Sequence, residues 1–161
     1  MPHHFEQKIL PYTPEQMFDL VADVEHYREF APWCVASRVK RWDGDQVFYA
    51  DLVIGYKMFR ERFSSKVFLD RPNRIHIEYL EGPLKHLKNE WLFHPEPGNK
   101  CRIDFTVEFE FQNILFQKLV NMFFNEVVRR MVGAFEARAK ALYGTDSESD
   151  VDEMPSSRSP S

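Results

Sequence analysis

The sequence lacks most of the short signatures that announce a chemistry. It has no GxSxG elbow, no Walker loop, no HExxH and no CxxC. Elbow-serine hydrolysis, P-loop nucleotide binding, zincin chemistry and thioredoxin-type exchange therefore have no local basis. Cysteine is nearly absent: Cys34 and Cys101 are the two in 161 residues. That is too few for a disulfide framework, so buried reduced thiols in a cytoplasmic protein are expected. No stretch approaches the ~18 uninterrupted apolar residues of a spanning helix. The start, MPHHFEQKIL, shows no basic segment followed by an apolar run, and no signal peptide is expected. His3, His4, His26, His76, His86 and His94 are scattered without ligand spacing, so no metal site is expected. A net charge of −4 weighs against a general nucleic-acid binder but leaves room for a local basic patch.

Ring surface, by contrast, is abundant. Aromatic residues make up 15% of the chain, and 15 residues are Phe. The stretch YREFAPWC carries Tyr27, Phe30 and Trp33 around Pro32. Such rings form either an ordinary Phe-rich core or the wall and mouth of a cavity that holds something apolar.

Periodicity sets the order of elements. Residues 3–10 alternate as a strand, with Phe5 and Ile9 on one face. Thr13, Pro14 and Gln16 compose a capping box with proline at the first helical position, and Tyr12 and Met17 are spaced as a hydrophobic staple. The first helix is expected over 14–22. Asp23 is placed to cap a second short helix, in which Tyr27 and Phe30 share a face before Pro32 ends it.

From 35 to 111 the period is two, in segments 35–42, 46–54, 57–69, 74–80, 87–94 and 102–111. The breaks fall at Gly and Pro clusters such as Asp43-Gly44-Asp45 and 95–99. Short connections imply an antiparallel meander. A last helix is expected over 114–143, about 45 Å long at ~1.5 Å per residue. Its stripe Phe116, Leu119, Val120, Phe123, Val127 and Met131 is expected to face the sheet. Leu115, Met122 and Phe124 then face either the short helices or open surface. The residues 145–161, TDSESDVDEMPSSRSPS, are acidic and serine-rich and read as a disordered tail. The fold class is therefore α+β: a domain over 1–144 in which a seven-stranded antiparallel sheet curls around a long C-terminal helix, with two short helices between strands 1 and 2.

Polar residues interrupt rows that should be apolar. Glu61 and Ser65 fall in the row Phe59, Phe63, Val67, Leu69, and Asn89 falls in the row Leu87, Trp91, Phe93. Either a bulge turns Glu61 to water, or these groups reach into a cavity and orient a ligand's polar atoms.

Three segments, DVEHYREFAPWC, EGPLKHLKNEWLF and DFTVEFEFQN before the long apolar helix, resemble the coenzyme-Q-binding branch of the START and polyketide-cyclase-like superfamily. The resemblance covers about Phe5 to Gly144. It implies a helix-grip fold with a deep cavity between sheet and helix. It also implies non-enzymatic binding and delivery of ubiquinone, or a related polyprenyl lipid, in support of respiratory electron transport. Tyr27, Phe30, Pro32 and Trp33, with Gly82, Pro83, Leu84 and Trp91, are the matching signature residues. Eukaryotic members are mitochondrial; the missing transit segment fits a bacterial member at the inner face of the plasma membrane. Some bacterial members are described as toxins that block ribosomal subunit association.

The expected ligand site is then Phe59, Phe63, Trp91, Phe105, Phe109, Phe116, Val120 and Phe123 around an apolar tail. Glu61, Ser65 and Asn89 would lie near a polar head group, and Tyr27, Phe30 and Trp33 at the entrance. No catalytic residue, metal or cofactor other than bound ubiquinone is expected. The alternatives are a cyclase- or hydratase-like enzyme with Glu61 as general base, and a ribosome-interacting module using Arg38, Lys40, Arg41, Arg129 and Arg130.

Overall fold

The computed structural model describes residues 3–144, so the expected tail at 145–161 lies outside the described residues. Strand β1 (His3–Leu10) leads through a short turn into helix α1 (Pro14–Ala22). The helix begins as its sequence dictates. The Thr13 hydroxyl accepts from the Gln16 amide at 3.1 Å, and the Gln16 side chain accepts from the Thr13 amide at 2.9 Å. Tyr12 and Met17, the expected staple, are both buried. Residues Val24–Glu29 form a 3-10 helix. Asp23 does not cap it: its side chain makes no cap bond, and its carboxylate meets His26 Nδ1 at 2.7 Å instead.

The remaining strands are β2 (Cys34–Asp43), β3 (Val47–Tyr56), β4 (Phe59–Asp70), β5 (Arg74–Glu81), β6 (Leu84–Glu96) and β7 (Lys100–Phe111). They form one antiparallel sheet in the order β1-β7-β6-β5-β4-β3-β2. The meander thus closes by setting the first strand beside the last. Strand β6 runs through Pro95, where the composition predicts a turn. Pro95 lies opposite Cys101, and the tight turn shrinks to Pro97-Gly98-Asn99, with Gly98 and Asn99 at φ 81° and 58°.

One face of the sheet is apolar. Phe48, Ala50, Val67, Trp91, Phe93, Ile103, Phe105 and Val107 are buried there against α1 and the long helix α2 (Ile114–Tyr143). On β1 the expected pair Phe5 and Ile9 does share a face, but it is the outward one, more than half exposed at both positions. Helix α2 starts on Asn113, whose side chain accepts from the Phe116 amide at 2.9 Å, and ends at Gly144 with φ 84°.

The phase of α2 differs from the expected one. Its buried residues are Gln117, Phe124, Val128, Phe135 and Ala139, with Val120 and Val132 partly buried beside them. Phe123 is 51% exposed and has non-helical backbone angles (φ −117°, ψ 15°), a kink in mid-helix. Leu119 is also largely exposed, while Leu115 and Met122 stand open rather than packing on the short helices. A stripe that omits a polar Gln and starts from the Phe run comes out one residue off. Gln117 is buried because it is needed: its Oε1 accepts from the Phe111 amide at 2.6 Å, closing the turn between β7 and α2.

Candidate ligand-binding site

The layer between sheet and α2 is built from rings supplied by alternating strand positions and by one helix face. At the start of α2, Phe116 stacks on Phe59 with centroids 4.6 Å apart and meets Phe111 edge-on at 4.6 Å. Phe63 of β4 touches the same Phe111 at 6.5 Å. Phe109 continues the series to Phe124 at 5.5 Å. Further along, Trp91 packs on Phe105 at 4.5 Å and on Phe135 at 5.2 Å. Phe135 in turn receives Tyr27 and Phe30 edge-on at 5.3 and 5.1 Å. These separations are those of favourable offset and edge contacts. The expected rings other than Phe123 therefore fall into two contacting groups, Phe59, Phe63, Phe109 and Phe116 at one end and Trp91 and Phe105 at the other.

The layer is graded. Trp91, Phe105, Phe124 and Phe135 are buried, whereas Phe59, Phe63, Phe109, Phe111 and Phe116 are half-buried. The end at the β3–β4 hairpin and the first turns of α2 is the open one. At the other end Tyr27 and Phe30, themselves half-buried, cover the buried Phe135. There the Tyr27 hydroxyl donates to the Val21 carbonyl, and burial, with smaller contributions from Asp23 and Cys34, pushes its phenol well above the usual range. Trp33, the third expected entrance residue, is half-buried in the turn before β2, with left-handed backbone at φ 64°. Its strand neighbour is reached through the backbone: the Gly55 amide donates to the Trp33 carbonyl at 2.8 Å.

The expected polar groups are placed as follows. Ser65 lies half-buried on the apolar face, opposite Ala50. Asn89 lies on the same face opposite Val107, and its Nδ2 donates to the Thr106 carbonyl at 3.0 Å. Glu61 keeps the parity of that face, opposite Ile54, but is exposed where the row runs out toward the hairpin. Val120 is partly buried against the core, and Phe123 is excluded from the layer by the kink.

The segment EGPLK owes its residues to packing. Gly82 has φ 147°, and a Cβ there would stand 2.8 Å from the Arg62 carbonyl and 2.9 Å from the Tyr79 hydroxyl. That hydroxyl accepts from the Leu84 amide at 2.9 Å, and the Pro83 carbonyl accepts from the Gln112 amide at 2.9 Å. The turn thereby ties β4 and β5 to the end of β7, beside the open end of the ring layer.

One polar site escaped sequence reasoning. Asp51 is 4% exposed, on the outer face of β3. It accepts from the Ser64 hydroxyl at 2.7 Å and pairs with Arg38 at 3.4 Å and Lys40 at 3.9 Å. Burial alone would raise its pKa. The Ser64 bond, Lys40, Arg38 and Arg62 outweigh burial and hold the carboxyl below its ordinary value. The available signal was an acid inside the apolar run YADLVIG. Among the described residues no cluster of three or more His, Cys, Asp or Glu is arranged to hold a metal, and no helix is long and apolar enough to cross a membrane. Cys34 and Cys101 are both buried, and burial pushes the Cys101 thiol up to about 11.

With this geometry in place, comparison with known proteins decides the family. Residues 10–136 match the family described as polyketide cyclase / dehydrase and lipid transport. The chain belongs to that family. Within it, a coenzyme Q-binding protein COQ10 homolog B, mitochondrial, of Xenopus laevis is 38% identical over 143 residues, 86% of this chain. The chain spans 58% of that relative's length. A ribosome association toxin RatA of Rickettsia prowazekii is 34% identical over 139 residues, covering 84% of this chain and 94% of the toxin. The solution structure of an 18 kDa protein of Caulobacter crescentus, 36% identical, superposes with a TM-score of 0.71 over 90% of this chain and 100% of the other. The expected helix-grip architecture and the expected superfamily are both found, and family members that resemble this chain carry both kinds of name.

Proposed function

We propose that the chain binds ubiquinone, or a related polyprenyl lipid, between the sheet and α2 and delivers or chaperones it without transforming it, in support of respiratory electron transport. The setting is the cytoplasm, with transient contact at the inner face of the membrane. The observation that carries this reading is the apolar layer itself, two groups of rings along α2, with half-buried rings at its β3–β4 end. The name of the coenzyme Q-binding relative supports it. Phe59, Phe63, Trp91, Phe105, Phe109, Phe116 and Val120 would surround the apolar tail. Ser65 and Asn89 would flank the polar ring. Each Å² of apolar surface removed from water would contribute roughly 25 cal/mol to affinity. The exposure of Glu61 disfavours a cyclase- or hydratase-like reaction with that carboxylate as base, because a general base works from a held position. The experiment is organic extraction of the protein purified from its native host, followed by mass spectrometry. A quinone or polyprenyl lipid near one equivalent is expected; lipid-free protein that takes up none on incubation contradicts the reading.

A second reading has its own observation. Arg38 and Arg41 occupy outward positions of β2 and Arg62 and Lys66 outward positions of β4, and the Tyr49 ring of β3 sits between Arg41 at 3.9 Å and Lys66 at 5.6 Å. A basic face interleaved with an aromatic suits RNA, and the toxin relative is named for ribosome association. Co-sedimentation with ribosomal subunits that weakens steeply with salt would favour it.

A further inference from the structure

The open end of the ring layer carries unusual surface chemistry. Met58, at the tip of the β3–β4 hairpin, is 99% exposed. On the first turns of α2, Ile114, Leu115 and Met122 are 67%, 78% and 75% exposed. These two tips are neighbours, because Phe59 directly after Met58 stacks on Phe116 of the helix. Large apolar side chains exposed together mark an interaction surface. They do not enclose a groove; they protrude from a hairpin and a helix, which suits insertion into a soft phase.

The charge carried by these two segments is mostly positive. Residues 56–62 and 114–125 hold four cations, Lys57, Arg60, Arg62 and Lys118, against a single carboxylate, Glu61, in a chain whose net charge is −4. The next acid along α2 is Glu126, beyond the kink at Phe123. Apolar tips flanked in sequence by Lys57, Arg60 and Lys118 match the hydrocarbon and the headgroups of an anionic bilayer. The kink separates this stretch of α2 from the part that Phe124, Val128, Phe135 and Ala139 anchor in the core.

We infer that the β3–β4 hairpin tip and the first turns of α2 form the surface by which the protein docks on an anionic phospholipid bilayer, and that lipid passes between bilayer and ring layer at this end, past Phe59 and Phe116. The inference rests on the carrier reading for what is passed, and on exposure, charge and ring contacts for where. It moves the entrance away from Tyr27 and Phe30; Trp33, whose carbonyl accepts from the Gly55 amide near the β3–β4 hairpin, stays at this end. The partner of Tyr27 and Phe30 on α2, Phe135, is 19 residues from Phe116, roughly 28 Å along a helix at 1.5 Å per residue.

The test is flotation of the full chain with phosphatidylcholine vesicles, with and without phosphatidylglycerol. Wild type should float with the anionic vesicles and less so as salt is added. The double variant Met58→Asp, Leu115→Asp should partition about tenfold more weakly or less still, because two apolar insertions become charges. Both positions are exposed, so its thermal melt and its binding of a soluble short-chain ubiquinone, read by tryptophan fluorescence, should match wild type. Lys57→Glu, Arg60→Glu, Lys118→Glu should lose the preference for anionic vesicles. Flotation of the double variant equal to wild type overturns the inference. So does failure of wild type to float while it still binds the soluble quinone, an outcome that leaves the carrier reading standing. Flotation that depends on Met58 and Leu115, without quinone binding, supports the surface and removes the carrier. Concentration-dependent self-association abolished by the double variant, with no flotation, would assign the patch to a second copy of the chain and overturn the bilayer.

Discussion

At position 51 a carboxylate is buried on the outer face of the sheet, held by a serine and by cations on both neighbouring strands. Its pKa is lower folded than unfolded. It therefore contributes stability that is present above the unfolded value, about 3.9, and is lost as pH falls through the folded one. Asp51→Asn should flatten that acid limb, seen as a smaller loss of thermal stability between neutral and low pH than in wild type. An unchanged acid limb would mean the pairing contributes nothing. Single residues were legible where a strand repeats strictly: Phe63, Ser65, Val67, Trp91 and Phe93 all face as the period of two requires. Glu61 obeys the same parity and still reaches water, because parity says nothing about where a sheet ends. Asp51 went unread because its cations come from other strands, and pairing across strands is not written in one.

Among the elements, the caps were the most legible, since Thr13 with Gln16 and Asn113 with Phe116 act within three residues of one another. The phase of α2 was the least. Its first half is apolar nearly all round, so the sequence admits several stripes. Tertiary contacts select one, in which Phe124 meets Phe109 and Phe123 is turned out at the kink. The two adjacent phenylalanines should then behave oppositely. Phe124→Ala should cost about 3–5 kcal/mol as a buried ring removed from a packed layer. Phe123→Ala should stay within roughly 0.5 kcal/mol, as exposed substitutions do. Urea denaturation of both variants checks this, and equal losses would restore the expected stripe.

For the whole molecule, the order of elements and the grip of sheet on helix were legible because turn residues, period and length agree at every step. What the sequence could not convey is the gradient of the ring layer. The YREFAPWC rings read equally well as core or as mouth. In the fold Tyr27 and Phe30 close the layer on Phe135, while Phe59 and Phe116 leave the other end half-open. That asymmetry depends on which rings find partners across a distance of many residues. Uptake of a quinone by this layer has a reporter in Trp91, 7% exposed and in contact with Phe105 and Phe135. The most direct measurement is a fluorescence titration of the Trp33→Phe, Trp42→Phe protein, whose remaining indole is Trp91, with a soluble ubiquinone. Saturable quenching with a stoichiometry near one is expected. Linear, unsaturating quenching equal to that of free indole in solution would contradict it.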